Sequence, residues 1–186
     1  MRTAFALVLA CSVADDRDYF PSKTGFKRVY VSEDGKRDVV TVEGTKTIDE
    51  VEVLVLKFVV RDGDATRKEY YKFSDEGVHY VGTDLESEDG DDSRENPRLV
   101  LKFNAKKGDK WEYKVSDVVF TYVFEGEEEV VVPAGKFKTW KVSCTGTIGS
   151  EKNVTTEWYA KGTGLVKMES VTGGSAKSTL SLTKTE

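Results

Sequence analysis

Val131-Val132-Pro133-Ala134-Gly135-Lys136-Phe137-Lys138-Thr139-Trp140-Lys141-Val142 reads as two β-strands joined by a Pro-Ala-Gly turn. Proline and glycine punctuate it, and β-branched and aromatic residues fill its arms. The pattern extends in both directions. Towards the C-terminus, strands are expected over 137–146, 154–160, 165–171 and 178–183, with a turn at Lys161-Gly162-Thr163-Gly164. Just upstream, 118–124 and 129–132 read as a hairpin around Glu125-Gly126-Glu127.

The N-terminal half follows suit. After a polar lead-in over 15–24, residues 26–31 alternate up to the turn Glu33-Asp34-Gly35-Lys36, and 38–42 pair back across it. Gly44 leads to a long apolar strand over 48–60, closed by the hairpin signal Asp62-Gly63-Asp64. Strands over 68–73 and 78–82 flank Ser74-Asp75-Glu76-Gly77, and an acidic loop fills 84–96. Strands over 99–103 and 111–115 flank Lys106-Lys107-Gly108-Asp109. That makes about twelve strands, and no window carries a helical period. Short turns imply antiparallel neighbours, because parallel pairs need long crossovers. The expected fold is all-β with little or no helix: a strongly curved antiparallel meander, a half-barrel or partly closed barrel, forming one domain over 15–186.

Two strands are apolar on both faces. Alternation assigns Leu54, Leu56, Phe58 and Val60 to one face and Val51, Val53, Val55 and Val59 to the other. Residues 118–124 behave similarly. A strand wet on one side should alternate cleanly, so something covers the second face: the chain's own loops, a partner subunit or an apolar ligand. Leu54, Leu56, Phe58, Trp111, Phe120, Tyr122 and Trp158 are the candidate lining of an apolar groove on the concave side.

The 186 residues suit a single domain. With 38% hydrophobic and 33% charged residues, the balance fits a thin β architecture with much solvated surface. Disorder is disfavoured by 9 Phe, 8 Tyr and 3 Trp spread along the chain. A net charge of -5 argues against nucleic acid as a partner.

Met1-Arg2 precedes an unbroken apolar run over 4–10, too short for a bilayer, which reads as the core of a secretory leader over 1–14. Ser12-Val13-Ala14 suits cleavage that frees Asp15, whereas Val8-Leu9-Ala10-Cys11 resembles a bacterial lipobox that would leave Cys11 lipidated. An N-terminal strand or helix is the other reading. The protein is thus expected to be exported, as a periplasmic, extracellular or outer-membrane-anchored bacterial protein. Membrane contact is expected only through a lipidated Cys11.

Chemistry-bearing motifs are sparse. Cys144 shares a face with Trp140 and Val142 and reads as a small buried residue. His79 is the only histidine, which excludes a histidine-rich metal site and leaves Cys144 without an obvious base. The acidic residues of 84–95 alternate as calcium ligands would, but Gly90 stands one place late for the sharp turn of such a loop; a solvated loop is the plainer reading. Glu157 and Asp117 are the acids a polymer hydrolase would draw on, and nothing pairs them. Glu157 beside Trp158 suggests sugar stacking, but alternation places the two on opposite faces. No cofactor is expected. The leading expectation is a non-enzymatic envelope protein with a lipid-like ligand or a protein partner. The alternatives are a structural or interaction module with a filled interior and, last, a hydrolase of envelope polymers.

Three segments carry a family resemblance: 97–113, with Gly108-Asp109-Lys110-Trp111; 132–142, with Pro133-Ala134-Gly135; and 157–167, with Trp158-Tyr159-Ala160-Lys161-Gly162. Together they resemble the TapB-like families of exported bacterial proteins of unknown function, related to the half-barrels of periplasmic lipoprotein carriers. The resemblance covers roughly residues 70–186. It implies a half-barrel outside the cytoplasm and transfers no catalytic residue. The helices that plug such carriers have no counterpart in this sequence.

Overall fold

The computed structural model describes residues 16–85 and 90–186. The leader-like run, Cys11 and both processing positions lie outside the described residues, as does 86–89 of the acidic loop. The described strands are β1 (Lys27–Ser32), β2 (Arg37–Ile48), β3 (Val51–Val60), β4 (Ala65–Phe73), β5 (Gly77–Thr83), β6 (Asp91–Asp92) and β7 (Arg98–Lys102), followed by β8 (Lys110–Val115), β9 (Val118–Val132), β10 (Gly135–Ile148), β11 (Glu151–Ala160), β12 (Gly164–Thr172) and β13 (Ala176–Thr185). The expected segments 118–124 and 129–132 form the single strand β9, and β6 is an addition, a two-residue piece of the acidic loop.

All thirteen belong to one antiparallel sheet, ordered β6-β5-β4-β3-β2-β1-β13-β12-β11-β10-β9-β8, with β7 also pairing β5. Two meanders, β1–β5 and β8–β13, are joined where β1 pairs β13. The sheet is not closed. Among the described residues its ends are β8 at one side and β6 with β7, both paired to β5, at the other, and no ladder joins β7 to β8. Side chains span that seam instead: Trp111 Nε1 donates to the Leu99 carbonyl at 2.8 Å, and Asn96 Nδ2 to the Lys114 carbonyl at 2.8 Å.

Bulges bend the strands. The expected hairpin around Glu125-Gly126-Glu127 is instead a bulge within β9, where Lys141 faces Gly126 and Val142 faces Phe124. Gly126 has φ 103, so the glycine serves a bend rather than a turn. The strand expected over 48–60 likewise divides. β2 runs on through a bulge at Val42/Gly44 to Ile48, then turns back over Asp49 (φ 44) and Glu50 (φ 67) into β3. Two successive positive φ values make this the tight turn that matches strand twist. It contains no glycine, which hid it.

The faces of β3 follow the expected alternation. Leu54, Leu56 and Phe58 join the main core, while Val53 and Val55 pack with Tyr70, Val81 and Leu85 in a second cluster. The chain's own side chains therefore cover the second face of β3.

The lead-in expected to be polar enters the core. Tyr19 stacks on Trp140 of β10 with ring centroids 4.0 Å apart and 16° between planes. Phe20 lies 4.9 Å from Tyr71 and 6.1 Å from Phe73, both on β4. Since β4 and β10 stand far apart in the sheet order, this segment lies within the curl between them. Asp16 Oδ2 accepts from the Asn104 N–H at 2.7 Å, and the Asp18 carbonyl from the Gly162 N–H at 2.8 Å, fixing both ends of the strap.

Candidate functional site

The curl brings polar side chains from opposite walls into one interior cluster. On β4, Glu69 and Tyr71 share a face by alternation. Glu69 pairs with Arg67 at 2.8 Å and accepts from Tyr71 OH at 2.5 Å. On β11, Glu157 accepts from Tyr159 OH at 2.8 Å. Glu157 is in electrostatic reach of Glu69 across the interior, and of Arg98 at the start of β7. Tyr122 on β9 senses Arg98, Cys144 and Glu157.

Burial dominates the protonation of Glu157 and of the tyrosines around it. It pushes the Glu157 carboxyl above its ordinary value, against the Tyr159 hydroxyl and Arg98, which favour the ionised form. It holds Tyr71 and Tyr159 well above the phenolic range, reinforced by Glu69 and Glu157 respectively. It raises Tyr80 to about 12.

Arg98 lies over the Tyr80 ring, its guanidinium carbon 4.7 Å from the centroid. Its Nε is buried and has no hydrogen-bond partner among the described residues. Next to it stands an aromatic wall. Trp111 stacks on Tyr122 at 5.5 Å and 12°, and Tyr113 lies 6.3 Å from Phe120.

The seven candidate groove residues distribute as follows. Leu54, Leu56 and Tyr122 are buried, and Phe58, Trp111 and Phe120 are half-buried against the same core. Trp158 is buried too, but its indole N–H bonds to Glu128, and Lys141 and Lys167 lie 5.3 and 4.8 Å from its ring. Three surface clefts of 330, 380 and 370 Å³ are lined by other residues: around Arg17, Phe20 and Phe73; around Val29, Val39 and Asp62; and around Asp49 and Arg94.

The other candidates stay apart. Asp117 sits on the exposed β8–β9 turn, away from Glu157. His79 bonds Ser74 Oγ at 2.9 Å, whereas Cys144 contacts Tyr122. In the acidic loop, Asp92 is held by Arg94 at 2.6 Å, which keeps its carboxyl down at about 2, and Asp91 accepts from Tyr80 OH at 3.0 Å. No cluster of acids, His or Cys fit for a metal occurs among the described residues.

Sequence reading missed Arg98, Glu69, Tyr71, Tyr80 and Tyr159. The signal was present in β4, where Arg67, Glu69, Tyr71 and Phe73 alternate on the face opposite Lys68, Tyr70 and Lys72. Which strand would face them across the curl was not in the sequence.

An open antiparallel half-barrel with a half-buried polar and aromatic interior is thus the class of molecule. Residues 81–181 match the DUF3108-like family, over half of the chain, and the protein belongs to that family. No curated protein matches it. A Parabacteroides distasonis protein assigned as a lipoprotein superposes with a TM-score of 0.55 at 16% identity, covering 90% of this chain and 98% of its own. A Bacteroides fragilis protein assigned as exported, with a YmcC-like fold, gives the same values: 0.55, 16%, 90% and 98%. At that identity the likeness is one of fold.

Proposed function

We propose that this chain is an exported, non-enzymatic domain of a bacterial envelope whose concave face takes an amphipathic ligand. One observation carries the reading. Two half-buried aromatic walls stand on the strands that lead to the two ends of the sheet, with Phe58, Tyr71 and Tyr80 on one and Trp111, Tyr113 and Phe120 on the other. Apolar side chains left partly exposed in a concavity, with a few convergent polar groups, suit a small ligand. Export is supported by the leader-like run over 4–10 and by the fold shared with proteins assigned as a lipoprotein and as exported. The turn glycine, packed tryptophan and Pro-Ala-Gly hairpin support a TapB-like kinship within the family. A hydrolase draws no support, since Glu157 and Asp117 do not meet and Glu69 is committed to Arg67 and Tyr71.

The second reading is an interaction module with a filled interior. It is favoured by the burial of Leu54, Leu56 and Tyr122 and by the insertion of Tyr19 and Phe20. Native mass spectrometry of protein purified without detergent, with a titration of anilinonaphthalene sulfonate, separates the two. The ligand reading expects a retained amphiphile or saturable dye uptake. Absence of both leaves the module. Mass analysis of the mature N-terminus reports cleavage at Asp15 or lipidation at Cys11.

A further inference from the structure

Four of the seven described arginines have acidic partners. Arg37 is held by Asp62 at 2.9 Å, Arg61 by Asp34 at 2.8 Å, Arg67 by Glu69 at 2.8 Å, and Arg94 by Asp92 at 2.6 Å. Arg98 is different. Although half-buried, it forms no ion pair or hydrogen bond through its side chain with any described residue, and its Nε is shut off from solvent. The interior acids are already engaged, Glu69 by Arg67 and Tyr71, Glu157 by Tyr159. Arg28 also has a buried Nε without a partner, but it is sealed in: a Cβ at Gly164 would lie 2.6 Å from its Nη1 and 2.9 Å from Pro21. Arg98 is only partly buried. It opens β7 at the seam with β8, where no ladder closes the sheet and where Trp111, Tyr122 and Phe120 form the facing wall.

Arg98 lies over Tyr80 and feels the charge of Glu157, but its donors find no acceptor, which is costly for a partly buried guanidinium, and its planar fork matches the two oxygens of a carboxylate or phosphate. We propose that Arg98 anchors the anionic head group, a carboxylate or phosphate ester, of an amphipathic molecule whose apolar chain lies along the half-buried Tyr80, Trp111 and Phe120. The inference rests on the ligand reading above and adds the chemistry of the head. The acyl chain replaces water against the aromatic wall. The head supplies the acceptors that the fold withholds from Arg98.

Three probes sharing a dodecyl chain test it by calorimetric titration below their micelle concentrations: laurate, dodecyl phosphate and uncharged dodecyl maltoside. The native protein is expected to bind at least one anion about tenfold or more tighter than the maltoside, as charge-assisted hydrogen bonds require. Tighter laurate assigns a free carboxylate, and tighter dodecyl phosphate a phospholipid-type head. Arg98→Gln should abolish the preference while changing maltoside affinity less than about twofold, and Arg98→Lys should restore part of it. Circular dichroism of both variants checks the fold. If Arg98→Gln does not fold, Arg98→Lys decides, since losing the fork should still cost several-fold in anion affinity. Equal binding of the three probes, or undiminished anion binding by the variants, overturns the assignment of Arg98 and leaves the ligand reading standing. No binding of any probe overturns both.

Discussion

Glu157 shows what the curl does to a single side chain. It sits on a strand whose sequence, Thr155-Thr156-Glu157-Trp158-Tyr159, looks half-solvated, yet it lies within electrostatic reach of Arg98 and Glu69 on other walls. Burial raises its carboxyl above the ordinary 4.5, so the folded chain holds that proton more tightly than the unfolded chain does. The associated stability is present below about pH 4.5 and is lost as pH rises through the folded value. Glu157→Gln stays neutral throughout. The difference in melting temperature, variant minus native, should therefore move in the variant's favour between about pH 4 and about pH 8. A flat difference would show that Glu157 is not a buried, ionising group. The tyrosines around it titrate too high to contribute in that window.

At the scale of strands and turns, glycine was a good guide to where the backbone bends and a poor one to how. Gly35 and Gly63 mark turns as read, but Gly44 and Gly126 mark bulges in strands that continue. Acidic neighbours made Glu125-Gly126-Glu127 resemble a turn, and only the pairing with β10 distinguishes the two. Conversely, the turn at Asp49-Glu50 lacked its usual glycine. Glu50 at φ 67 bears a left-handed conformation that glycine would adopt freely. Glu50→Gly should raise stability by up to about 1 kcal/mol, read as a higher urea midpoint with an unchanged slope. Gly126→Ala, at φ 103, should lower it by about 1 kcal/mol or more. If Glu50→Gly destabilises, β2 and β3 are not joined by this tight turn.

Across the whole molecule, strand content, antiparallel order and curvature were legible because alternation and short turns are local. The partners across the interior were not, since sequence spacing carries no information on which walls of a curled sheet meet. The same limit hid the strap. Residues 16–24 look solvated, and only the curl offers Tyr19 and Phe20 a place between β4 and β10. Phe20→Ala should cost about 3 kcal/mol, as other buried aromatic truncations do, and should increase dye uptake by opening that end. A cost near zero in denaturant titration would mean that the strap is not part of the core. All seven groove candidates lie in or against one core, but the arginine beside them whose Nε finds no acceptor emerged only from the assembled sheet.

The concave face as a ligand site is tested most directly by mapping laurate onto the isotope-labelled protein by NMR. Saturable shifts concentrated at Phe58, Arg98, Trp111, Phe120 and Tyr122 are the predicted result. Shifts scattered over the outer face, or none as laurate approaches its micelle concentration, would contradict it.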